Sequence, residues 1–277
     1  MPVLALVCAV GLATAACDVK TTASGDFSFD IAAGKATDTW SRTYTVPADG
    51  RFELINVNGR ITAESTEGKD VIVEGRRTAK ARSDEAAKEL LDKLEIREEV
   101  GTSTIRVESR PPRLSGFSSH EIEWTVKIPK GVVVDLRTVN GGVRMTGLSG
   151  KLYAKTTNGG VRGRDLTAEV IEASSVNGGV DTELGAPPDS TATIEMTTVN
   201  GGITLGLPAE SKATISARAV NGGVRVSDLS ITRDDERDTD SERRRRLNGT
   251  LNGGGARVTL SVTNGGVRIS RAGTSTT

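Results

Sequence analysis

Apolar and polar residues alternate on both sides of a short Asn-Gly-Gly sequence that recurs through the second half of the chain. The positions six, four and two residues before each asparagine are apolar or small, and a valine or isoleucine stands three residues after it. The positions between them are mostly polar. Alternation with a period of two residues on both sides of a glycine turn predicts a strand, a turn and a second strand, with one buried face.

Six copies of this unit align on their asparagine residues: Asn140, Asn158, Asn177, Asn200, Asn221 and Asn264. The steps between successive asparagines are 18, 19, 23, 21 and 43 residues, so that the last step spans about two periods. An earlier, divergent copy reads FELINVNGRI around Asn58. The chain therefore contains an internal repeat, and the asparagines are predicted to be its structural corners.

Two architectures can use such a repeat. Asn-Gly between alternating strands is typical of a hairpin, which would give an antiparallel meander. Alternatively, each period forms one coil of a parallel β-solenoid, and Asn-Gly-Gly turns a corner between two faces. Stacked coils place identical residues about 4.8 Å apart, so each asparagine amide can reach the next. Because a hairpin gives no reason for this identity, we predict an all-β parallel β-solenoid (β-helix) with coils of 18 to 23 residues.

One short α-helix is predicted over residues 83–94. Ser83 is a favourable N-cap, and acidic residues follow it in the first turn, where they complement the helix dipole. The apolar residues on one face are Ala87, Leu90, Leu91 and Leu94. We expect this helix to cover an open end or edge of the β-scaffold. The alternative, a helix that docks a partner protein, requires exposed leucines.

Residues 41–277 are predicted to form a single β-solenoid domain, preceded by a tether at 18–40. Within this domain, residues 229–248 are predicted to be a charged loop. Residues 233–246 contain six acidic and six basic side chains and no apolar side chain except one threonine methyl group, so they cannot bury enough surface to offset the entropy of ordering. The Asn-Gly-Gly at 252–254 lacks the apolar columns and is predicted to be a turn rather than a coil.

The composition argues against several classes of function. The 36 basic and 36 acidic side chains cancel, so the chain has no overall attraction to nucleic acid. Aromatic residues make up only 3% of the chain, too few for platforms that stack bases. His120 is the only histidine, and we predict no cofactor and no metal ion.

The first seventeen residues predict export. MPVLALVCAVGLATAAC is an apolar run of signal-peptide length, shorter than the roughly 20 residues of a membrane-spanning helix. Cys17 follows two small residues, Ala15 and Ala16, as the lipid-bearing cysteine of a bacterial lipoprotein does. We therefore predict a lipoprotein signal at 1–17 and lipidation of Cys17, which would anchor the protein in the periplasm or at the cell surface. Plain secretion is the alternative.

Four segments resemble the bacterial DUF4097 family, whose members carry an adhesin label. They are WSRTYTVPADGRFELINVNGRI at 40–61, SDEAAKELLDKLEI at 83–96, HEIEWTVKIPKGVVVDLRTVNGGV at 120–143 and GTLNGGGARVTLSVTNGGVRIS at 249–270. The resemblance covers nearly all of the mature chain. It implies an exported, mostly β-solenoid domain, and it carries over no catalytic residues.

The strongest candidate for a binding face lies four residues after the asparagines. This position holds Arg144, Arg162, Arg225 and Arg268, which would form a row on stacked coils and hold an anionic glycan through bidentate contacts. Solubility is the competing explanation for such a row. We predict a non-enzymatic envelope module with a structural or adhesive role, whose partner is an anionic glycan or another envelope protein.

Two alternative functions remain open. The first is a carbohydrate-active β-helix enzyme, for which the column five residues before the asparagine supplies Asp135, Glu172 and Glu195. Such an enzyme requires at least two carboxylates and a base gathered in one groove. The second is a regulatory envelope domain that docks a partner through the 83–94 helix.

Overall fold

The computed structural model describes residues 19–21, 27–29, 34–47, 49–113, 118–234 and 239–273. The predicted signal peptide and the lipidation predicted at Cys17 lie outside these residues, so both stay predictions. Neither helix in the described part of the chain has the length and hydropathy that a membrane span requires.

The described chain is mostly β-structure, as predicted. Its helices are α1 (Asp84–Asp92) and α2 (Asp240–Arg245). Its strands are β1 (Val19–Thr21), β2 (Phe27–Phe29), β3 (Gly34–Thr45), β4 (Arg51–Asn58), β5 (Ile61–Thr66), β6 (Asp70–Ala81), β7 (Glu95–Val100), β8 (Thr104–Arg110), β9 (Ser119–Pro129), β10 (Val133–Asn140), β11 (Val143–Thr146), β12 (Ser149–Asn158), β13 (Val161–Asn177), β14 (Val180–Leu184), β15 (Thr193–Asn200), β16 (Ile203–Leu207), β17 (Ala213–Asn221), β18 (Val224–Ser227), β19 (Ile231–Arg233), β20 (Arg246–Leu251), β21 (Ala256–Asn264) and β22 (Val267–Arg271).

The repeat copies lie side by side as two parallel ladders in register. Strands that precede an asparagine pair with each other, in the order β4, β10, β12, β13, β15, β21 and β17. Strands that follow the Asn-Gly-Gly corner form the second ladder, in the order β5, β11, β13, β14, β16, β22 and β18. Each asparagine is aligned with the asparagine of the neighbouring copy. The antiparallel meander is therefore wrong for the repeats.

The apolar columns that define the repeat form the core. Leu136, Leu152 and Ile171 on the first ladder are fully buried, as is Leu205 on the second. Burial alternates residue by residue along β17 of the first ladder and along most of β22 of the second, which agrees with the predicted strand period. A core of aliphatic side chains suits a thin layer between two ladders, because aligned side chains of similar size pack without gaps.

The amino-terminal end of the scaffold is closed by antiparallel strands and by α1. Strand β3 pairs with β6 over its whole length, and β6 pairs with β9, which borders the second ladder. The predicted tether at 18–40 was thus wrong in its last part, because residues from Gly34 onward belong to the sheet. The pairing partner of β3 is the distant segment Asp70–Ala81, so local sequence patterns do not reveal it.

Helix α1 packs against β3 and β6 and covers this end, as the sequence predicted. The Ser83 side chain accepts a hydrogen bond from the backbone N–H of Ala86, which is the predicted N-cap. Leu91 and Leu94 are buried and Leu90 is partly buried. These leucines are not available to a partner protein, so the requirement set for a docking helix is not met.

The carboxyl-terminal coil occupies an unexpected place. Strand β21 lies between β15 and β17, and β22 lies between β16 and β18, so the last copy in the sequence is the penultimate copy in space. Strand β20 pairs antiparallel with the other side of β17. The last copy brings Leu260 and Ile269, which are fully buried, whereas Val224 and Val226 of the displaced copy are only partly buried. The larger apolar side chains thus take the interior position.

The segment predicted as a charged loop at 229–248 contains regular structure. Strand β19, helix α2 and the start of β20 lie within it. Thr239 and Glu242 form a reciprocal capping box at the start of α2, and basic residues occupy its last turn. The capping box and the favourable interaction of charged side chains with the helix dipole therefore stabilise a short helix that has no buried residue. The turn predicted at 252–254 is confirmed, and it carries the chain across the end of β17.

Candidate functional site

The first glycine of each corner is fixed by close packing between copies. A Cβ atom on Gly141 would lie 2.2 Å from the carbonyl oxygen of Gly59, and one on Gly159 would lie 2.1 Å from that of Gly141. Both glycines also have positive φ angles, 153° and 157°. No other residue fits there without moving the backbone, because real Cβ contacts do not come so close.

The second glycine is under a weaker constraint. A Cβ atom on Gly142 would lie 3.1 Å from the carbonyl oxygen of Gly160, a tight contact that a small shift relieves. In the divergent first copy this position is Arg60, which carries a full side chain in the same place of the ladder. The corner fold therefore tolerates a side chain at the second position.

The corner asparagines form a continuous ladder of hydrogen bonds. Each side-chain Nδ2 donates to the Oδ1 of the neighbouring asparagine at 2.8 or 2.9 Å, through Asn58, Asn140, Asn158, Asn177, Asn200, Asn264 and Asn221. The ladder thus has one direction from end to end. It follows the spatial order of the copies rather than their order in the sequence.

His120 lies at the start of this ladder. Its Nε2 is 3.0 Å from the Nδ2 of Asn58 and accepts that amide proton, so the imidazole is neutral with its own proton on Nδ1. Nδ1 is buried without a hydrogen-bond partner among the described residues. Burial lowers the pKa of the His120 imidazole. The histidine that sequence reasoning left without a role therefore terminates the asparagine ladder.

The four arginines predicted as a binding face lie on the second ladder and are exposed. Arg144 is aligned with Arg162, and Arg268 is aligned with Arg225. The second pair exists only because the last copy is inserted next to the Arg225 copy. Asp181 and Thr204 separate the two arginine pairs.

Ion pairing inside this row is confined to its middle. Asp181 is held by Arg164 through two contacts of 2.5 and 3.1 Å, and Arg162 Nε lies 3.6 Å from the same carboxylate. Arg144, Arg225 and Arg268 form no ion pair with any described residue. The row therefore keeps cationic groups that are free to meet an anionic ligand.

The three acids of the column named for an alternative enzyme lie in different surroundings. Asp135 is only 2% exposed and accepts hydrogen bonds from Arg51 at 2.6 Å and from Arg137 at 2.7 and 2.8 Å. Glu172 and Glu195 are neighbours on adjacent strands, and both are exposed on the sheet. Asp135 is thus part of a structural ion cluster, and no described groove gathers these acids with a base.

Metal-ligating side chains are likewise dispersed. In the ranges the structure describes, no group of three or more His, Cys, Asp or Glu residues is arranged to hold a metal ion.

The structure also shows a set of exposed valines at one position of the repeat that sequence reasoning missed. The residue immediately before the asparagine is an exposed valine in four copies, at Val139, Val176, Val199 and Val220. These side chains are 38–45% exposed and lie in one column of the first ladder. The signal was present in the recurring sequence VNGG, in which the valine has the outward parity of a strand.

Comparisons with known proteins give only distant likeness. No protein-family model matches the chain, so membership of the DUF4097 family remains a prediction. No curated protein is significantly similar in sequence.

Among solved structures, a "putative cell adhesion protein" from Clostridium sporogenes is 14% identical with a TM-score of 0.47, and the match covers 84% of this chain and all of that one. A "putative adhesin" from Bacteroides fragilis is 10% identical with a TM-score of 0.31, covering 84% and 97% of the two chains. A "putative lipid binding protein" from Parabacteroides distasonis is 8% identical with a TM-score of 0.28, covering 84% and 96%. Likeness at this level carries no argument about function.

Proposed function

We propose that this chain is a non-enzymatic binding module, a two-ladder β-solenoid that holds an extended acidic polysaccharide along the row of Arg144, Arg162, Arg268 and Arg225. The observation that carries the proposal is the alignment of these exposed arginines in two adjacent pairs. Neighbouring strands are about 4.8 Å apart, so each pair presents two guanidinium groups to successive acidic groups of one polymer.

Electrostatics favours such a ligand. Two like charges directly opposite each other on neighbouring strands destabilise a sheet, and an anion bound between them removes that repulsion. Guanidinium groups bind carboxylates in a planar, bidentate geometry. Arg144, Arg225 and Arg268 have no acidic partner among the described residues, so a bound anion displaces no internal ion pair at these positions.

The predicted cellular setting is compatible with this role. An exported protein tethered through a lipid at Cys17 would present the arginine row to envelope polysaccharides, and the proposal includes this anchor. The resemblance to the DUF4097 family implies the same exported location. An outer face built from repeated strands suits a long linear ligand better than a compact one.

Charge reversal of one arginine pair tests the proposal. We expect Arg144→Glu combined with Arg162→Glu to weaken binding to alginate, a linear polyuronate, at least tenfold, because two attractive contacts become repulsive. The measurement is isothermal titration calorimetry with size-defined alginate oligomers, and dextran serves as the neutral polymer.

A matched control carries the same change of charge on the other ladder. Lys151→Glu combined with Lys155→Glu alters exposed lysines of β12, on the first ladder. We expect this variant to bind alginate within about twofold of the wild type, since long-range charge effects are screened at physiological salt. Equal binding by both double variants and the wild type would remove the arginine row as the binding face.

A further inference from the structure

The corners carry a row of main-chain donors that point outward. The carbonyl oxygen of Gly141 accepts a hydrogen bond from the hydroxyl of Thr156 at 2.7 Å, and Thr156 is buried in the core. In a trans peptide the C=O and N–H bonds point in opposite directions. The N–H of the following residue, Gly142, is therefore directed away from the core.

The same arrangement recurs on the next two copies. The carbonyl of Gly159 accepts from Ser175 at 2.8 Å, and the carbonyl of Gly178 accepts from Thr198 at 2.7 Å. Both hydroxyls are buried. The N–H groups that follow belong to Gly160 and Gly179, and they point outward in parallel with that of Gly142.

These three N–H groups have no hydrogen-bond partner among the described residues. Gly142, Gly160 and Gly179 form one side of an open groove of about 280 Å³. Arg60, Arg144 and Arg162 also line this groove, together with Asp181. With three guanidinium groups and one carboxylate, the groove has a net positive charge beside these main-chain donors.

We propose that this groove is the subsite that orients the polymer: carboxylate oxygens of successive uronic acid residues accept hydrogen bonds from the N–H groups of Gly142, Gly160 and Gly179, while Arg144 and Arg162 neutralise the charge. This inference rests on the proposed function and names the ligand class more narrowly. Parallel N–H groups that face one groove favour a bound anion because each contributes a partial positive charge.

The second glycine of the motif leaves the groove open in this arrangement. Arg60 shows that the corner accommodates a side chain at this position, whereas the three groove copies and the copies of Gly202, Gly223 and Gly266 have glycine there. A side chain at Gly160, which is itself exposed and lines the groove, would occupy the space that the polymer needs.

A pair of glycine variants tests the groove. We expect Gly160→Gln to weaken binding to alginate oligomers about tenfold, because its side chain fills the groove and blocks the N–H groups, although no charge changes. Gly202→Gln is the matched control. Gly202 lies in the same column as Gly160 but outside the groove. A Cβ atom on Gly202 would lie 3.3 Å from the nearest carbonyl oxygen, which is similar to the environment at Gly160. The control should bind within about twofold of the wild type once equal thermal midpoints show that both variants are folded.

Amide chemical shifts give a readout that does not depend on a variant. On titration with an alginate hexamer, the amide protons of Gly142, Gly160 and Gly179 in the wild-type protein should move downfield with one common binding curve, whereas that of Gly202 should not. Alginate binding without these shifts, or full binding by Gly160→Gln, would overturn the groove and leave the arginine row intact. If Gly160→Gln and the arginine double variant both bind alginate as the wild type does, the groove and the arginine row are both overturned.

Discussion

At the scale of single residues, the two glycines of the repeated motif have different functions. Gly159 is required by the fold, because its missing Cβ lets the next copy approach to van der Waals distance. Gly160 is under a weaker fold constraint, since Arg60 occupies the equivalent position in the first copy, and we assign it a role in keeping the groove open. The sequence has glycine at both positions, and only the distances between neighbouring copies distinguish the two roles.

This difference predicts unequal stabilities for two alanine variants. We expect Gly159→Ala to destabilise the protein by about 3 kcal/mol, because its methyl group would lie 2.1 Å from a backbone oxygen. Gly160→Ala should cost about 1 kcal/mol or less. Urea unfolding monitored by circular dichroism measures both values, and equal midpoints for the two variants would contradict the assignment.

At the scale of elements, the asparagine ladder joins the copies along one edge and ends on a neutral histidine. Each link contributes about 1 kcal/mol, so the ladder is a substantial part of the contact between neighbouring copies. If His120 gained a proton on Nε2, that proton would face the Asn58 amide, which is itself a donor. Reversal of Asn58 would break its link to Asn140, because the ladder has a single direction.

Stability should therefore depend on pH through His120. Burial lowers its pKa in the folded state, so the unfolded chain binds more protons, and stability is lost as the pH falls below the unfolded value of about 6.5. The groove beside His120 is also lined by the charged side chains of Arg60, Lys80, Glu121 and Glu123. A substitution of His120 leaves them in place, so their contribution to stability is common to the variant and the wild type.

The variant His120→Gln isolates this effect. Glutamine keeps an acceptor for Asn58 and does not titrate, so the loss of stability between pH 7 and pH 5 should be smaller in His120→Gln than in the wild type. Thermal unfolding midpoints across this range give the comparison. Identical pH profiles for the two proteins would exclude His120 as the titrating group.

At the scale of the whole molecule, the sequence predicts the columns but not the order of the copies. The position of Val, Ile and Leu relative to each asparagine gives the buried faces correctly, because strand parity is a local property. The last two copies share these columns, so either can stack on the Asn200 copy in the same register. The choice depends on burying Leu260 and Ile269, a packing effect that the alternation does not encode.

The candidate site, too, could be predicted from the sequence only in part. The arginine row could be predicted, because its offset from the asparagine is constant. The pairing of Arg268 with Arg225 could not, because it follows from the inserted copy. The outward N–H groups could not be predicted either, since glycine has no side chain to reveal them and their direction depends on the buried hydroxyls of neighbouring copies.

Disulfide formation tests the order of the copies. In a background with Cys8→Ser and Cys17→Ser, we expect Thr204→Cys and Arg268→Cys to cross-link on oxidation, because adjacent strands place their Cα atoms within reach of a disulfide. Thr204→Cys with Arg225→Cys should not cross-link, since Arg268 lies between them. Non-reducing electrophoresis after proteolysis distinguishes the two, and the opposite result would show that the copies stack in sequence order.

The central claim is that the stacked corners bind an acidic linear polymer through aligned cations and main-chain donors. The most direct test is the affinity of the wild-type protein for alginate and for dextran, measured by calorimetry at roughly 50 mM and 500 mM NaCl. We predict binding to alginate that weakens at least tenfold at the higher salt, and no binding to dextran, because the interaction is between screened charges. No binding to alginate at low salt, or equal binding to both polymers, would contradict the claim.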